Sequence, residues 1–136
     1  MTQAGLATVR CVDPVDTVIT NLENAATAAG LTVLARINHR ASTADVGLEL
    51  RPTELLIFGN PRAGTALMLD QQTAELDLPF RALVWEDEAG QVWLTYPEPA
   101  SLARCHNLAK TSEPVLAAIR DGMSSLLHGR TRGRRP

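Results

Sequence analysis

Apolar residues recur along this chain with two different periods, which predict helices and strands. Residues 15–29 place apolar side chains at three- and four-residue spacing, which predicts an amphipathic helix that ends at Gly30. Asp13 is the predicted N-cap of this helix and Pro14 its first helical residue. Residues 112–127 carry a second apolar stripe with the same spacing. The two stripes predict two helices that each bury one face.

Strands are predicted where apolar and polar residues alternate, or where a short apolar run lies between turn residues. Residues 53–58 are predicted to form a strand, and its apolar run at residues 55–58 predicts a central position with burial on both faces. The other predicted strands and the shorter helices follow from the same patterns. These strands cover residues 6–12, 31–37, 81–85 and 92–96, and the short helices cover residues 39–46, 65–76 and 101–108.

A β-hairpin is predicted between the last two strands, because Gly90 suits the positive φ that a tight loop requires. A four-residue loop would place Val84 opposite Trp93 and Trp85 opposite Val92. The two tryptophans would then lie on opposite faces of the sheet, each in an aromatic–aliphatic cross-strand pair.

The order of these elements predicts an α+β fold of two layers. We expect a mixed or antiparallel sheet of about five strands, with helices packed on one face. At 136 residues, 45% of them hydrophobic and 21% charged, the chain has the composition of one globular domain. We expect residues 1–127 to form that domain and residues 128–136 to form a disordered tail.

Charge is distributed unevenly along the chain. The formal net charge is −2, but residues 128–136 contain four Arg and no acidic residue. The rest of the chain is therefore acidic, which argues against a nucleic-acid surface on the domain itself. We expect the tail alone to bind polyanions, weakly and without sequence preference.

Two further features bear on localisation. The first residues do not resemble a signal peptide, and no stretch approaches the roughly 18 apolar residues of a membrane span. Cys11 and Cys105 form no CxxC pair, which fits reduced, buried thiols better than a disulfide framework. We therefore expect a cytoplasmic protein that does not enter a membrane.

The turn at residues 59–64 is the first candidate site. Gly59, Asn60 and Pro61 lie between a predicted buried strand and a helix, where free backbone N–H groups and the helix dipole favour an anion. Arg62 would add a charged donor for a carboxylate or phosphate. The alternative is an ordinary tight turn with a solvated Arg62.

The end of the second strand is the other candidate site. Arg36 and Asn38 share one strand face there, and His39 follows them. If the strands that precede His39 and Gly59 are neighbours, His39 would reach the turn and act as a proton donor or acceptor. The alternative is a histidine that hydrogen-bonds a backbone carbonyl.

Motifs of common enzymes and metal sites are absent from the sequence, including the P-loop, the nucleophile elbow and the HExxH motif. The three histidines lie on separate segments. Cys105 and His106 are adjacent, and neighbouring side chains on a helix point about 100° apart, which hinders a shared ion. We expect no metal, and the sequence indicates neither a cofactor nor a catalytic residue.

Several segments resemble the domain-of-unknown-function 302 family. The most specific is Leu-Arg-Pro-Thr-Glu-Leu-Leu-Ile-Phe-Gly-Asn-Pro at residues 50–61. Val-Trp-Glu-Asp at 84–87 and Gly-Gln-Val-Trp at 90–93 continue the resemblance. It implies a two-layer α+β fold, a dimer and no agreed enzymatic activity, with His39, Glu54 and the residues from Phe58 to Pro61 as the most recognisable cluster.

The chain departs from the resembling family at two positions. Asn38 stands where many relatives carry an acid before the histidine, which argues against an Asp–His proton relay. Gly59 stands where another branch carries a cysteine, so a thiol reaction at that position is excluded here.

Three functions remain open from the sequence. The first is a small-ligand-binding or sensing domain that holds a polar or anionic ligand through Arg36, His39, Glu54, Gly59, Asn60 and Arg62. The second is an enzyme that uses His39 as acid or base beside the same turn. The third is a homodimeric protein-interaction module, which a flat, apolar exposed face would favour.

Overall fold

Five antiparallel strands form one sheet with the spatial order β1-β5-β4-β3-β2. The computed structural model describes residues 4–78 and 80–131. The strands are β1 (Leu6–Cys11), β2 (Thr32–Asn38), β3 (Thr53–Gly59), β4 (Phe80–Glu86) and β5 (Val92–Pro97). The helices are α1 (Val15–Ala28), α2 (His39–Asp45), α3 (Pro61–Asp70), α4 (Pro99–His106) and α5 (Glu113–Thr131), with short 3₁₀ turns at Gln72–Asp77 and Lys110–Ser112.

The core lies between one face of the sheet and the helices, which confirms the predicted two-layer α+β fold. Helix α1 buries the apolar stripe that its sequence predicts, with Val18, Ile19 and Leu22 almost completely inaccessible to solvent. Strand β3 contributes Leu56 and Phe58 to the same core. Each of these large side chains stabilises the fold by about 1.5–3 kcal/mol through burial alone.

The opposite face of the sheet carries no helices in the part of the chain that the structure describes, and we call it the open face. The burial of β3 on this face differs from the prediction. Leu55 and Ile57 point to this face and are only half-buried, so β3 alternates instead of being buried on both sides. The prediction was wrong because an apolar run shows that both faces of a strand are apolar. It does not show whether helices cover both of them. Strand β3 also lies one strand from the sheet edge, and β4 occupies the centre.

The hairpin register also differs from the prediction. Trp85 pairs with Trp93, and their ring centroids lie 6.4 Å apart. The loop is one residue longer than predicted, because the Oδ1 atom of Asp87 accepts hydrogen bonds from the backbone N–H groups of Ala89 and Gln91. Both tryptophans therefore lie on the open face.

Several helix ends depart from the predicted boundaries. Pro14, not Asp13, occupies the N-cap position of α1, without a side-chain hydrogen bond. Helix α3 begins at Pro61 instead of residue 65. Helix α5 continues to Thr131, past the predicted end of the domain, and the rest of the predicted polyanion-binding tail lies outside the described residues.

Within residues 4–78 and 80–131, no helix is both long enough and apolar enough to span a bilayer.

Replacing Asp87 by Asn should weaken the acid dependence of stability. The N–H of Trp93, and then the backbone N–H of Gln91, hold the pKa of Asp87 below its usual value. A carboxyl of this kind stabilises the fold above its unfolded pKa of about 3.9, and this contribution is lost as pH falls through the folded value. Thermal unfolding temperatures measured from pH 7 downward should fall more steeply for the wild type than for Asp87→Asn.

The matched control is Glu88→Gln, on the exposed tip of the same loop. Its unfolding temperature should follow the wild-type pH dependence. Identical pH dependence for the wild type and Asp87→Asn would show that the hydrogen bonds to Asp87 do not favour its charged form.

Candidate functional site

A cleft of about 610 Å³ lies between α3 and α5, at the end of the sheet where β3 ends and β4 begins. Its walls are mainly apolar, and its polar side chains come from the start of α3. The lining residues that matter most here are Phe58, Phe80, Ala118, Gly122, Asn60 and Arg62. The cleft is large enough for a small organic molecule.

Small residues on α5 create the space. Ala118 and Gly122 are four residues apart and therefore lie on the same side of the helix. A Cβ atom added at Gly122 would meet nothing within 4 Å. Opposite them, Phe58 and Phe80 are partners in the β3–β4 register, with ring centroids 6.4 Å apart. Two aromatic rings and a notch in a helix thus bound the cleft.

Asn60 closes the turn at the polar end of the cleft. It is the N-cap of α3, and its Oδ1 atom accepts hydrogen bonds from the backbone N–H groups of Arg62 and Ala63. The N–H of Gly64 donates to the Asn60 carbonyl oxygen, and Pro61 has no N–H to offer. The predicted anion cradle of free backbone N–H groups is therefore wrong, because the turn satisfies its own donors.

Arg62 is the remaining cationic group at this end. Its side chain is exposed and lines the cleft. Among the described residues Arg62 takes part in no ion pair, so its guanidinium is available to an anionic group. Gly59 lies on the other side of the turn, where it lines a smaller cavity of about 280 Å³ together with Met68 and Leu78.

The structure brings Arg36 and Glu54 together, but as parts of an internal ion-pair network. Arg36 Nε lies 3.0 Å from the Glu54 carboxylate, which is buried on the helix-covered face. The two Nη atoms of Arg36 donate to Thr20, Glu23 and Asp16 of α1, at 2.8, 3.4 and 2.9 Å.

The hydrogen bond to Glu54 raises the pKa of Arg36, and the charge of Glu54 and the contacts with Glu23 and Asp16 of α1 add to it against a lowering by burial. With every guanidinium nitrogen engaged, Arg36 ties α1 to β2 and β3. Arg36 and Glu54 therefore serve the fold, and the prediction that they contact a ligand has no support from their geometry.

His39 lies far from the turn at Asn60. In the antiparallel β2–β3 register, Asn38 is opposite Glu54 while Thr32 is opposite Gly59. About 17 Å of strand separates Asn38 from Gly59, and His39 and Asn60 each lie one residue further out at the two opposite ends. The prediction that His39 and Asn60 share one site is therefore wrong, because it required the two strand ends to meet at one edge of the sheet.

Sequence reasoning missed the α5 side of the cleft. The apolar stripe in residues 112–127 predicts the helix, but that stripe consists of the larger apolar residues and does not include Ala118 or Gly122. The signal available was the Ala118–Gly122 pair, small residues at four-residue spacing beside a buried stripe. The spacing of Ala118 and Gly122 does not indicate that β3 and β4 face them across the cleft.

A family model described as domain of unknown function DUF302 matches residues 7–126. A solved structure, the uncharacterized conserved protein DUF302 from Bacillus stearothermophilus, superposes with a TM-score of 0.83. The similarity covers 96% of this chain and 100% of that chain, at 21% sequence identity, and it extends the match to the fold.

Two curated relatives carry the name fluoride-specific ion channel FluC 1. The protein from Brucella suis is 44% identical over 123 residues, which cover 90% of this chain and 48% of the relative. The protein from Brucella abortus is also 44% identical over 123 residues, and the match covers 46% of it. The chain thus spans about half the length of these relatives.

Replacing Arg36 by Leu should lower the free energy of unfolding by roughly 2–4 kcal/mol, because the buried Glu54 carboxylate loses its nearest cation. Chemical denaturation measures this change. The double variant Arg36→Leu/Glu54→Leu should regain much of the loss, since it removes the stranded charge.

The control for this substitution is Arg40→Leu, at an exposed position on α2. It should change the free energy of unfolding by no more than about 0.5 kcal/mol. Equal stabilities for Arg36→Leu and Arg40→Leu would rule out a structural role for the network.

Proposed function

This chain belongs to the family described as domain of unknown function DUF302, and we propose that it is a small-ligand-binding domain whose cleft takes an amphipathic carboxylate. The observation that carries the proposal is the combination of an apolar cleft with Arg62 at its end, a cation that forms no ion pair with any described residue. A ligand with an apolar body and a single anionic group matches both features.

We expect the apolar walls of the cleft to contribute most of the binding free energy. Its volume of about 610 Å³ falls within the range of roughly 300–1,000 Å³ that is usual for small-molecule pockets. Its walls bring together Phe58, Phe80, Ile119 and Met123, whose side chains offer no hydrogen bonds to a polar ligand. Burial of hydrocarbon contributes about 0.8 kcal/mol per CH₂ group.

The start of α3 supports the choice of an anionic head group. Arg62 supplies a guanidinium that can pair with a carboxylate through two parallel hydrogen bonds. The positive end of the α3 dipole adds a smaller favourable contribution. The backbone N–H groups of Arg62 and Ala63 already donate to the Asn60 side chain, so they are not available to a ligand. We therefore propose a carboxylate, because a phosphate needs more donors than Arg62 alone supplies.

The enzyme alternative lacks a comparable observation. It required His39 beside the turn, and the strand register separates them. We therefore propose binding and no reaction.

Decanoate should bind the wild-type chain and raise its unfolding temperature, because ligand binding to the folded state stabilises it. Gly122→Leu should abolish this binding, since the new side chain projects into the cleft where a Cβ meets no atom within 4 Å. Arg62→Gln should weaken decanoate binding by roughly tenfold. Isothermal titration calorimetry measures both effects.

Gly122→Ala is the matched control, because it adds only one carbon at the same position and should retain most of the affinity. Decylamine, which has the same chain length and the opposite charge, should bind the wild type more weakly than decanoate. The proposal fails if the wild type does not bind decanoate, or if Gly122→Leu binds it as the wild type does.

We also propose that two copies of the chain associate through the open face. The apolar residues of this face are half-buried and do not belong to the hydrophobic core, and they extend over four adjacent strands, β2 to β5. They are Ala35, Ile37, Leu55, Ile57, Leu83, Trp85 and Trp93. The strand residues on this face include no acid; its charged strand residues are Arg10 and Arg81, and the Asp87 carboxylate lies against Trp93 at the hairpin end.

The size of the open face sets the expected strength of association. Five strands at a spacing of about 4.8 Å and a length of about 23 Å give a footprint of roughly 500 Å². Stable interfaces usually bury about 800 Å² per partner. We therefore propose a symmetric homodimer that dissociates at micromolar concentrations.

Sedimentation velocity should show a concentration-dependent shift between monomer and dimer, and tryptophan emission should move to shorter wavelength as the dimer forms. Leu83→Arg should give a monomer, because it places a charge in the middle of the interface. Leu69→Arg is the control, at a residue that is 84% exposed on α3, and should associate like the wild type. A monomer at every concentration, or association unaffected by Leu83→Arg, would contradict the proposal.

A further inference from the structure

Three metal-ligating side chains converge where α4 packs against the 3₁₀ turn at Gln72–Asp77. One ligand atom from each of Asp77, Cys105 and His106 lies within 4.8 Å of the other two. His106 is buried, with Nε2 lying 2.6 Å from an Asp77 oxygen and Nδ1 lying 3.2 Å from the Thr73 hydroxyl. Among the described residues this is the one group of at least three such ligands that lie so close together.

Cys105 and His106 are the last two residues of α4. Asn107 adopts a left-handed conformation, with φ of 53°, and ends the helix directly after His106. His106 turns into the protein while Cys105 stays exposed, which differs from the expectation that both thiols of the chain are buried. Asp77 belongs to another segment, and the ligand atoms of Cys105 and His106 lie within 4.8 Å of its carboxylate and of each other.

The chemistry of the three groups selects the ion. A thiolate, an imidazole and a carboxylate together suit a borderline divalent metal, and Zn²⁺ binds all three donor types with tetrahedral geometry. Ca²⁺ and Mg²⁺ prefer oxygen donors alone. We propose that Asp77, Cys105 and His106 form a Zn²⁺ site, with the fourth coordination position left for water or an exogenous ligand.

Hydrogen bonding around His106 is compatible with this role. Zn²⁺ would replace the proton shared between Nε2 and the Asp77 carboxylate, and Nδ1–H would then donate to Thr73. A hydroxyl can accept or donate, so Thr73 supports His106 in either state, as partners of metal-bound histidines commonly do. The other Asp77 oxygen lies 3.4 Å from Arg81, which holds the carboxylate in place.

For the imidazole and the carboxylate the required movement is small, and the Cys105 sulfur, which lies within 4.8 Å of both, must approach them to roughly 3.6 Å. Zinc–nitrogen and zinc–oxygen bonds of about 2.0–2.1 Å at a tetrahedral angle place the two ligand atoms roughly 3.3 Å apart. The Nε2–Oδ2 distance of 2.6 Å must therefore widen by less than about 1 Å. None of the three ligands lines the proposed cleft, so this site and the decanoate site can succeed or fail independently.

Co²⁺ titration of the reduced, tag-free, full-length chain tests the site, because Co²⁺ takes zinc positions and reports its ligands by absorption. The wild type should bind one Co²⁺ with a thiolate-to-metal charge-transfer band and the strong visible bands of a tetrahedral ion. Zn²⁺ should then displace it. Cys105→Ser should lose the charge-transfer band and weaken Co²⁺ binding by more than tenfold, while circular dichroism shows an unchanged fold.

Cys11→Ser is the matched control, because burial, and then the charge of Asp13, raise the pKa of Cys11 to about 11 and keep its thiol protonated. This variant should retain the wild-type Co²⁺ spectrum. Asp77→Asn should retain the thiolate band with lower affinity. No charge-transfer band in the wild type, or a band that survives in Cys105→Ser, would overturn the proposal.

Discussion

The helices cover only one face of the five-stranded sheet, and the rest of the structure depends on that constraint. Because side chains alternate along each strand, every second residue enters the core while its neighbours stay on the open face. Leu56, Phe58 and Val84 thus pack with α1 inside the core, whereas Trp85 remains outside it. The cleft lies on the helix-covered face. It exists because α5 places Gly122, and not a large side chain, beside the rings of Phe58 and Phe80 at the end of the sheet.

Polar residues that stand out in the sequence largely serve the fold. A buried carboxylate such as Glu54 is costly without a partner, and Arg36 compensates it while linking two strands to α1. Asn60 likewise uses its side chain to satisfy the first N–H groups of α3. The same donor and acceptor groups suit ligand contact and self-closure, so only their actual hydrogen-bond partners distinguish the two roles.

His106 and Cys105 illustrate the opposite case. Neither belongs to a recognisable motif, and the sequence separates them from Asp77 by a hairpin. Packing of α4 against the 3₁₀ turn brings an imidazole, a carboxylate and an exposed thiol together. The chemistry of that group arises from tertiary contacts between segments that periodicity analysis treats as independent, and it lies apart from the cleft.

The sequence by itself determined the fold class, the helices α1 and α5, the hairpin, and the family resemblance that the DUF302 match confirms. These depend on local periodicity and turn chemistry, which are written directly in the order of residues. Strand direction and register were decided only by tertiary structure. They place His39 and Asn60 at opposite ends of β2 and β3, and they set Trp85 against Trp93. A shift of one residue reverses which face a side chain occupies, and the pattern of apolar residues cannot fix that shift when both faces of the sheet are apolar.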